Sequence, residues 1–257
     1  MLLRKIVSFR LDERTKAMTN IIRAEFLKSK RTMSSKLIVV FPIITLVMAF
    51  VLTLGMTNAY AESAWNWWYV LLLPGMIAIV SYLSVIREKK NGYYNIKTLP
   101  MEQRKLMLGK IAYLGILVLV SNVVLFAGAT VGGAILTTSI PVIGAAITVV
   151  VLTITELWQI PLFLFLSEKF GMVVVCLFIN VLGIIVAPSE KWFILVSAIS
   201  MRVVTPLLHV LPNGLRAQAG EPLLSSFVIL PGILIALAHF MLLTYLYLNW
   251  FEKREVK

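Results

Sequence analysis

Charge is scarce in this chain. Only 14% of its 257 residues are charged while 60% are hydrophobic. A soluble domain carries about a quarter charged residues and does not need such long apolar runs, so that class is excluded. Cysteine is limited to Cys176, inside an apolar run, which excludes a disulfide framework and makes this thiol a small buried hydrophobe. The two histidines, His209 and His239, are 30 residues apart and neither belongs to an HExxH-like pair, so no metal site is expected. No GxxxxGK[ST] loop is present to cradle nucleotide phosphates, and no GxSxG elbow presents a nucleophilic serine. Catalytic residues are therefore expected to be absent, and any ATP-driven work requires a second polypeptide.

Long runs between charges are what the chain does have. Crossing a hydrocarbon core of roughly 30 Å at about 1.5 Å per residue takes about 20 apolar residues. Six runs qualify, at about 37–56, 67–86, 111–131, 143–166, 172–187 and 227–249. The fold class expected is all-α integral membrane. Ala59-Tyr60-Ala61 after the first run resembles a signal-peptide cleavage site, but a 36-residue charged leader is too long, so this run is expected to remain as a span.

The net charge of +12 does not point to nucleic acid, because the basic residues lie between the apolar runs rather than on one surface. Ten of the 24 Lys and Arg fall in 1–36, seven in 87–110, one in 167–171 and three in 250–257. If all six runs cross, those segments share one side, which the positive-inside rule makes cytoplasmic, both termini included. The cluster Trp65, Trp67, Trp68 and Tyr69 is then expected at the outer interface, as a membrane anchor.

Three segments are not plain spans. Residues 18–36 contain Ile22, Phe26 and Met33 on one helical face with Arg23, Lys28, Lys30 and Arg31 over the rest, which reads as a helix on the inner membrane surface among lipid headgroups. Residues 1–17 show no comparable pattern, which leaves Met1 and Met18 both open as the start, and 37–257 form the transmembrane domain. The loop from Arg87 to Lys110 mixes seven cations with Tyr93, Tyr94, Ile96 and Leu99. Pro100 suits the first turn of a helix running into the third span, and aromatic anchors ringed by charge are what partner interfaces use. Between the fifth and sixth runs, Pro206, Pro212 and Asn213-Gly214 break an apolar stretch into pieces too short to cross. A re-entrant pair of short helices hinged near Pro206 is expected there, with Trp192, His209, Asn213 and Gly214 in it.

Depth arithmetic adds a further set. Counted from the cytoplasmic end of each run, Asn122 lies 11 residues in, Glu156 10, Asn180 8 and His239 10. At about 1.5 Å per residue these four share one layer near the bilayer centre, where Glu156 must be protonated or paired and His239 is the ionisable partner in reach.

With these residues in place, the arrangement resembles the permease subunits of type-2 ABC exporters, and within them the lantibiotic self-immunity permeases of the EpiE/EpiG and MutE/MutG type. IIRAEFLKSKRT before the first run, NWWYVLLLPG opening the second, and the EKK, LP and GK elements of the next loop carry the resemblance, which extends from Met18 to the end. It implies a complex of two permease chains, the same or homologous, with two copies of an ABC ATP-binding subunit that holds ATP and magnesium. It also implies export of an amphipathic peptide from the cell membrane of a Gram-positive bacterium. A coupling helix for the ATPase would lie within 87–106, with Glu88, Tyr93, Tyr94, Leu99, Pro100 and Arg104, and exit helices would lie within 190–215. A peptide-binding membrane protein that does not transport, an exporter of a drug or lipid, and an intramembrane hydrolase are the alternatives the residues leave open.

Overall fold

The computed structural model describes residues 16, 18–30, 32–54, 59–94, 101–136, 141–171 and 175–253, with backbone alone at 175–179. Helices account for nearly all of it, and the isolated bridge between Val210 and Arg216 is the one β-type pairing among the described residues. In order they are α1 (18–29), α2 (Met33–Leu52), α3 (Tyr60–Lys90), α4 (Gln103–Ile135), α5 (Val142–Glu156), α6 (Gln159–Phe170), α7 (Val175–Val186), α8 (Val196–Leu208) and α9 (Ile229–Glu252). Hydrocarbon offers backbone groups no partner, so each crossing segment must close its own hydrogen bonds, and helices do this. Four helices, α2, α3, α4 and the one ending at Glu252, are long and apolar enough to cross, and the bent pair α5–α6 makes a fifth. The run expected at 172–187 forms α7, whose 12 helical residues reach about 18 Å.

Prolines shape two of these elements. Pro74 lacks the N–H that would close the turn before it, and α3 widens to a π-turn at Trp68–Leu72 immediately upstream. Pro161 does the same to the fourth run, which breaks between Glu156 and Gln159 and bends by 41°.

The aromatic cluster departs from expectation. Trp65, Trp68 and Tyr69 are buried in the bundle, and only Trp67 of the four is exposed. The reason is facing: Trp68 and Tyr69 turn toward polar partners on other segments of the bundle, and Trp67 turns away. The Trp68 indole then donates to Asn122 Oδ1 at 2.7 Å.

The region of the expected outer hairpin also differs. One helix, α8, replaces the pair: it runs through Pro206 without a hinge, and residues 187–195 before it form turns. Pro206 is the third-last residue of α8; lacking an N–H it forfeits a single bond, while its fixed φ suits the helix. His209 then takes a left-handed φ of 58° and ends α8. A tight turn follows in which Gly214 N–H reaches Leu211 O at 2.8 Å and Asn213 is exposed. Asn66 of α3 donates to Pro212 O at 3.0 Å, and Arg216 approaches Glu62 at 4.0 Å. Trp192 packs against the small cluster of Ile199 and Val203. Although read as an outer element, α8 is buried from Ser197 to Pro206, wedged among α5, α7 and α9.

Close packing against α8 relies on absent side chains. A Cβ at Gly144 would run into the Leu207 backbone carbonyl, which cannot turn aside. At Gly115 a Cβ would meet Leu157 Cδ2 at 3.2 Å, a methyl that can rotate away. Gly144→Ala is therefore expected to destabilise the protein by about 1–3 kcal/mol, and Gly115→Ala by less. Thermal unfolding midpoints in detergent check this, and equal effects would show that α8 is not rigidly seated.

Candidate functional site

Five stretches of chain meet at the end of the bundle where α1 lies. There α3 finishes in Arg87, Lys89 and Lys90, which suit the negative end of a helix dipole. Its last carbonyls are closed by a Schellman turn: Gly92 N–H bonds Lys89 O at 3.0 Å, and Tyr93 N–H bonds Glu88 O at 2.9 Å. Gly92 takes the positive φ of 56° that the motif needs and that glycine adopts without steric cost. Tyr93 follows at φ 54°, an uncommon value for a side-chain-bearing residue, held by the contacts of its ring and hydroxyl.

Those contacts turn Tyr93 inward. Its hydroxyl donates to Glu168 Oε2 at 2.6 Å and its ring meets Phe251 of α9 at 6.4 Å between centroids. Lys89 donates to the Glu168 carbonyl at 2.7 Å, so the turn after α3 is fastened to the end of α6. Arg104 at the start of α4 lies 3.9 Å from Glu252, which brings the end of α9 to the same pole.

Glu88 is buried too, between two cations. Lys28 of α1 lies 3.2 Å from its Oε1 and Lys110 of α4 lies 3.4 Å from the same atom, with Glu25 2.7 Å from Lys28. Burial works against the Lys28 charge, but the Glu25 and Glu88 carboxylates beside it prevail and hold its pKa above the ordinary 10.5. A raised pKa stabilises the fold at every pH below the unfolded value and loses that effect only as pH climbs through the folded one. At neutral pH this ion is fully in place.

The surface helix α1 turns one face to the bundle. Its inward face is Ile21, Glu25 and Ser29, with Ile22 half-buried, while Phe26 at 40% and Met33 at 62% are exposed. The Tyr113 hydroxyl donates to Ser29 and its ring takes Phe26 edge-on at 4.8 Å. Arg23 and Lys30 face out, and Arg31 lies outside the described residues. α1 docks through the buried Ile21, which lies over Gly109 of α4, and through the polar contact of Ser29 with Tyr113.

Of the six residues expected to meet a partner, Glu88 and Tyr93 are thus internal and hold the pole together. Tyr94 is 67% exposed, Arg104 is partly exposed, and Leu99 and Pro100 lie outside the described residues. The sequence pattern did not separate the two tyrosines, since neighbours on a turn point apart for reasons of φ alone.

Deeper in the bundle, Asn122 joins Trp68 to Thr153, and Glu156 and Asn180 both contact Gln159. His239 instead bonds the Ile235 carbonyl of its own helix at 2.8 Å. The side chain that meets Glu156 is Gln159, not His239; sequence reasoning missed it although its i+3 spacing lets the two side chains meet across the helix break. Among the described residues no group of three or more His, Cys, Asp or Glu side chains could hold a metal ion.

Removing Glu88 leaves Lys110 buried without its counter-ion. Glu88→Ala is expected to cost about 3–5 kcal/mol and to free α1 for tryptic cleavage at Lys28 and Lys30. Lys28→Met, which removes a partly exposed partner, is expected to cost about 1 kcal/mol or less. Unfolding midpoints and timed proteolysis measure both, and equal losses would mean that Lys110 does not need Glu88.

A family model described as ABC-2 family transporter protein matches residues 21–211, about three quarters of the chain. Comparison with curated proteins and with solved structures found no match. The matched region runs from the buried face of α1 through the Glu88 pole to the end of α8. The chain belongs to the ABC-2 transporter family and is a multi-pass membrane permease of a type-2 ABC exporter, a subunit that works with a separate ABC ATP-binding protein.

Proposed function

We propose that this permease expels an amphipathic peptide of the lantibiotic class from the outer leaflet to the medium, driven by ATP and magnesium bound on the partner ATPase. The Glu88 pole carries this reading, because it joins α1, α4, α6 and α9 to the braced turn at the end of α3. A push on that turn is transmitted to four helices at once. The turn leaves Tyr94 exposed, an aromatic ring at the end of a helix that finishes in Arg87, Lys89 and Lys90. The peptide substrate rests on the resemblance in IIRAEFLKSKRT and NWWYVLLLPG, not on a pocket.

In this reading the Glu88 pole is cytoplasmic, α7 serves as the fifth of six crossings, both termini are inside, and α1 rests among lipid headgroups. Two permease chains, the same or homologous, and two ATP-binding subunits complete the complex. A groove of about 320 Å³ between α2 and α4 favours a second reading, export of a lipid or apolar drug. Its walls are Leu46, Val47, Phe50, Ile135 and Leu136, with Tyr60 the polar member.

Tyr94→Ala is expected to leave folding intact and to weaken association with the ATPase about tenfold or more. Tyr93→Phe keeps the ring and loses the Glu168 bond, so it should lower thermal stability instead. Co-purification and ATP-dependent release of labelled peptide or lipid from vesicles decide between the readings. Full coupling in the Tyr94 variant would remove this turn from the docking surface. Asn213→Cys should react with an impermeant thiol reagent added outside intact cells, and labelling only after lysis would reverse the orientation.

A further inference from the structure

The break in the fourth run is a place where oxygens outnumber donors. Pro161 has no N–H for the Leu157 carbonyl, and the Ile160 N–H takes that carbonyl at 3.1 Å instead. Glu156 closes α5 and Gln159 opens α6, and both side chains are completely buried. Gln159 Nε2 donates to Glu156 Oε2 and, at 3.4 Å, to Asn180 Oδ1 of α7. The Ser200 hydroxyl of α8 also hydrogen-bonds Glu156. Two buried acceptors then remain without a donor, Glu156 Oε1 and Gln159 Oε1.

Nothing described around the break supplies positive charge. On α8 the Arg202 guanidinium donates to the Leu223 carbonyl, and on α9 the His239 ring is bonded to Ile235 O. The Tyr69 hydroxyl on α3 donates to Leu211 O at 3.4 Å, and Asn122 on α4 is engaged with Trp68 and Thr153. No titratable side chain is described on α7. The ion pairs among the described residues involve Glu25, Glu88, Glu102, Glu168, Glu252 and Glu62, none of them Glu156. A lone carboxylate at this depth is strongly disfavoured, and broken helices with inward oxygens are where membrane proteins hold small cations.

We propose that the α5–α6 break is a binding site for one small monovalent cation, held by Glu156 and Gln159 with Asn180 and Ser200 completing an oxygen shell. The occupant is a proton on the carboxyl or an alkali-metal ion, and either supplies the single positive charge that the cluster lacks. Because the ligands come from both halves of the broken span and from two further helices, occupancy sets the angle at the break. The site does not depend on which substrate the exporter carries or on how the ATPase docks.

The purified full-length permease in lipid nanodiscs tests this without partner or substrate. Infrared difference spectra at pH 7, with choline or sodium chloride, read the carbonyl stretch of a protonated carboxylic acid, and unfolding midpoints are recorded in the same buffers. A protonated-acid band present in the wild type and lost in Glu156→Gln assigns the proton. Absence of that band, with a midpoint that rises by several degrees on adding sodium, lithium or potassium chloride and does not rise in Gln159→Met, assigns an alkali ion. Neither a band nor a cation-dependent shift overturns the proposal. Should Glu156→Gln fail to fold, titration of the wild-type band with pH, set against Gln159→Met, gives the same discrimination.

Discussion

Lipid removes the usual driving force between helices, and the arrangement of this protein depends on that constraint. Hydrocarbon tails receive a leucine as well as a protein interior does, so helices associate through close contact of small residues and through polar bonds. The second helix shows the result: Ser34, Ile38, Pro42, Thr45 and Ala49 face inward while Val40, Ile44, Val47 and Val51 face out. Small and polar groups are inside, and the larger apolar ones meet lipid.

The same constraint gives the buried charges their importance. At the Glu88 pole two lysines from different helices share one carboxylate, and the Schellman turn that begins on the Glu88 carbonyl carries Tyr93 to Glu168. Attraction in so dry a setting barely exceeds the cost of desolvation, so such a cluster adds little net stability but penalises any arrangement that breaks it. That makes it suited to keeping helix ends in register while force is applied to the turn beside them.

At mid-depth the bundle follows a different rule. Asn122, Trp68 and Thr153 satisfy one another, whereas the break at Glu156 and Gln159 keeps acceptors unmatched. The first group rigidifies the contact between α3, α4 and α5. The second lies where the backbone is already interrupted and where four elements converge, so its occupancy bears on the shape of the span.

Composition alone determined much of this protein. Long uncharged runs required helices in lipid, and the clustering of Lys and Arg marked one pole. Only the tertiary structure decided which way side chains face: that Tyr93 points in and Tyr94 out, that Trp68 is internal, that α1 docks by Glu25 and Ser29, and that α8 is a core helix. In a soluble helix the apolar stripe announces its inward face. A span is apolar all round, because lipid and bundle interior have similar polarity, so periodicity carries little information about facing. The lysines beside Glu88, and Ser200 beside Glu156, come from helices distant in sequence, and those contacts exist only once the bundle has assembled.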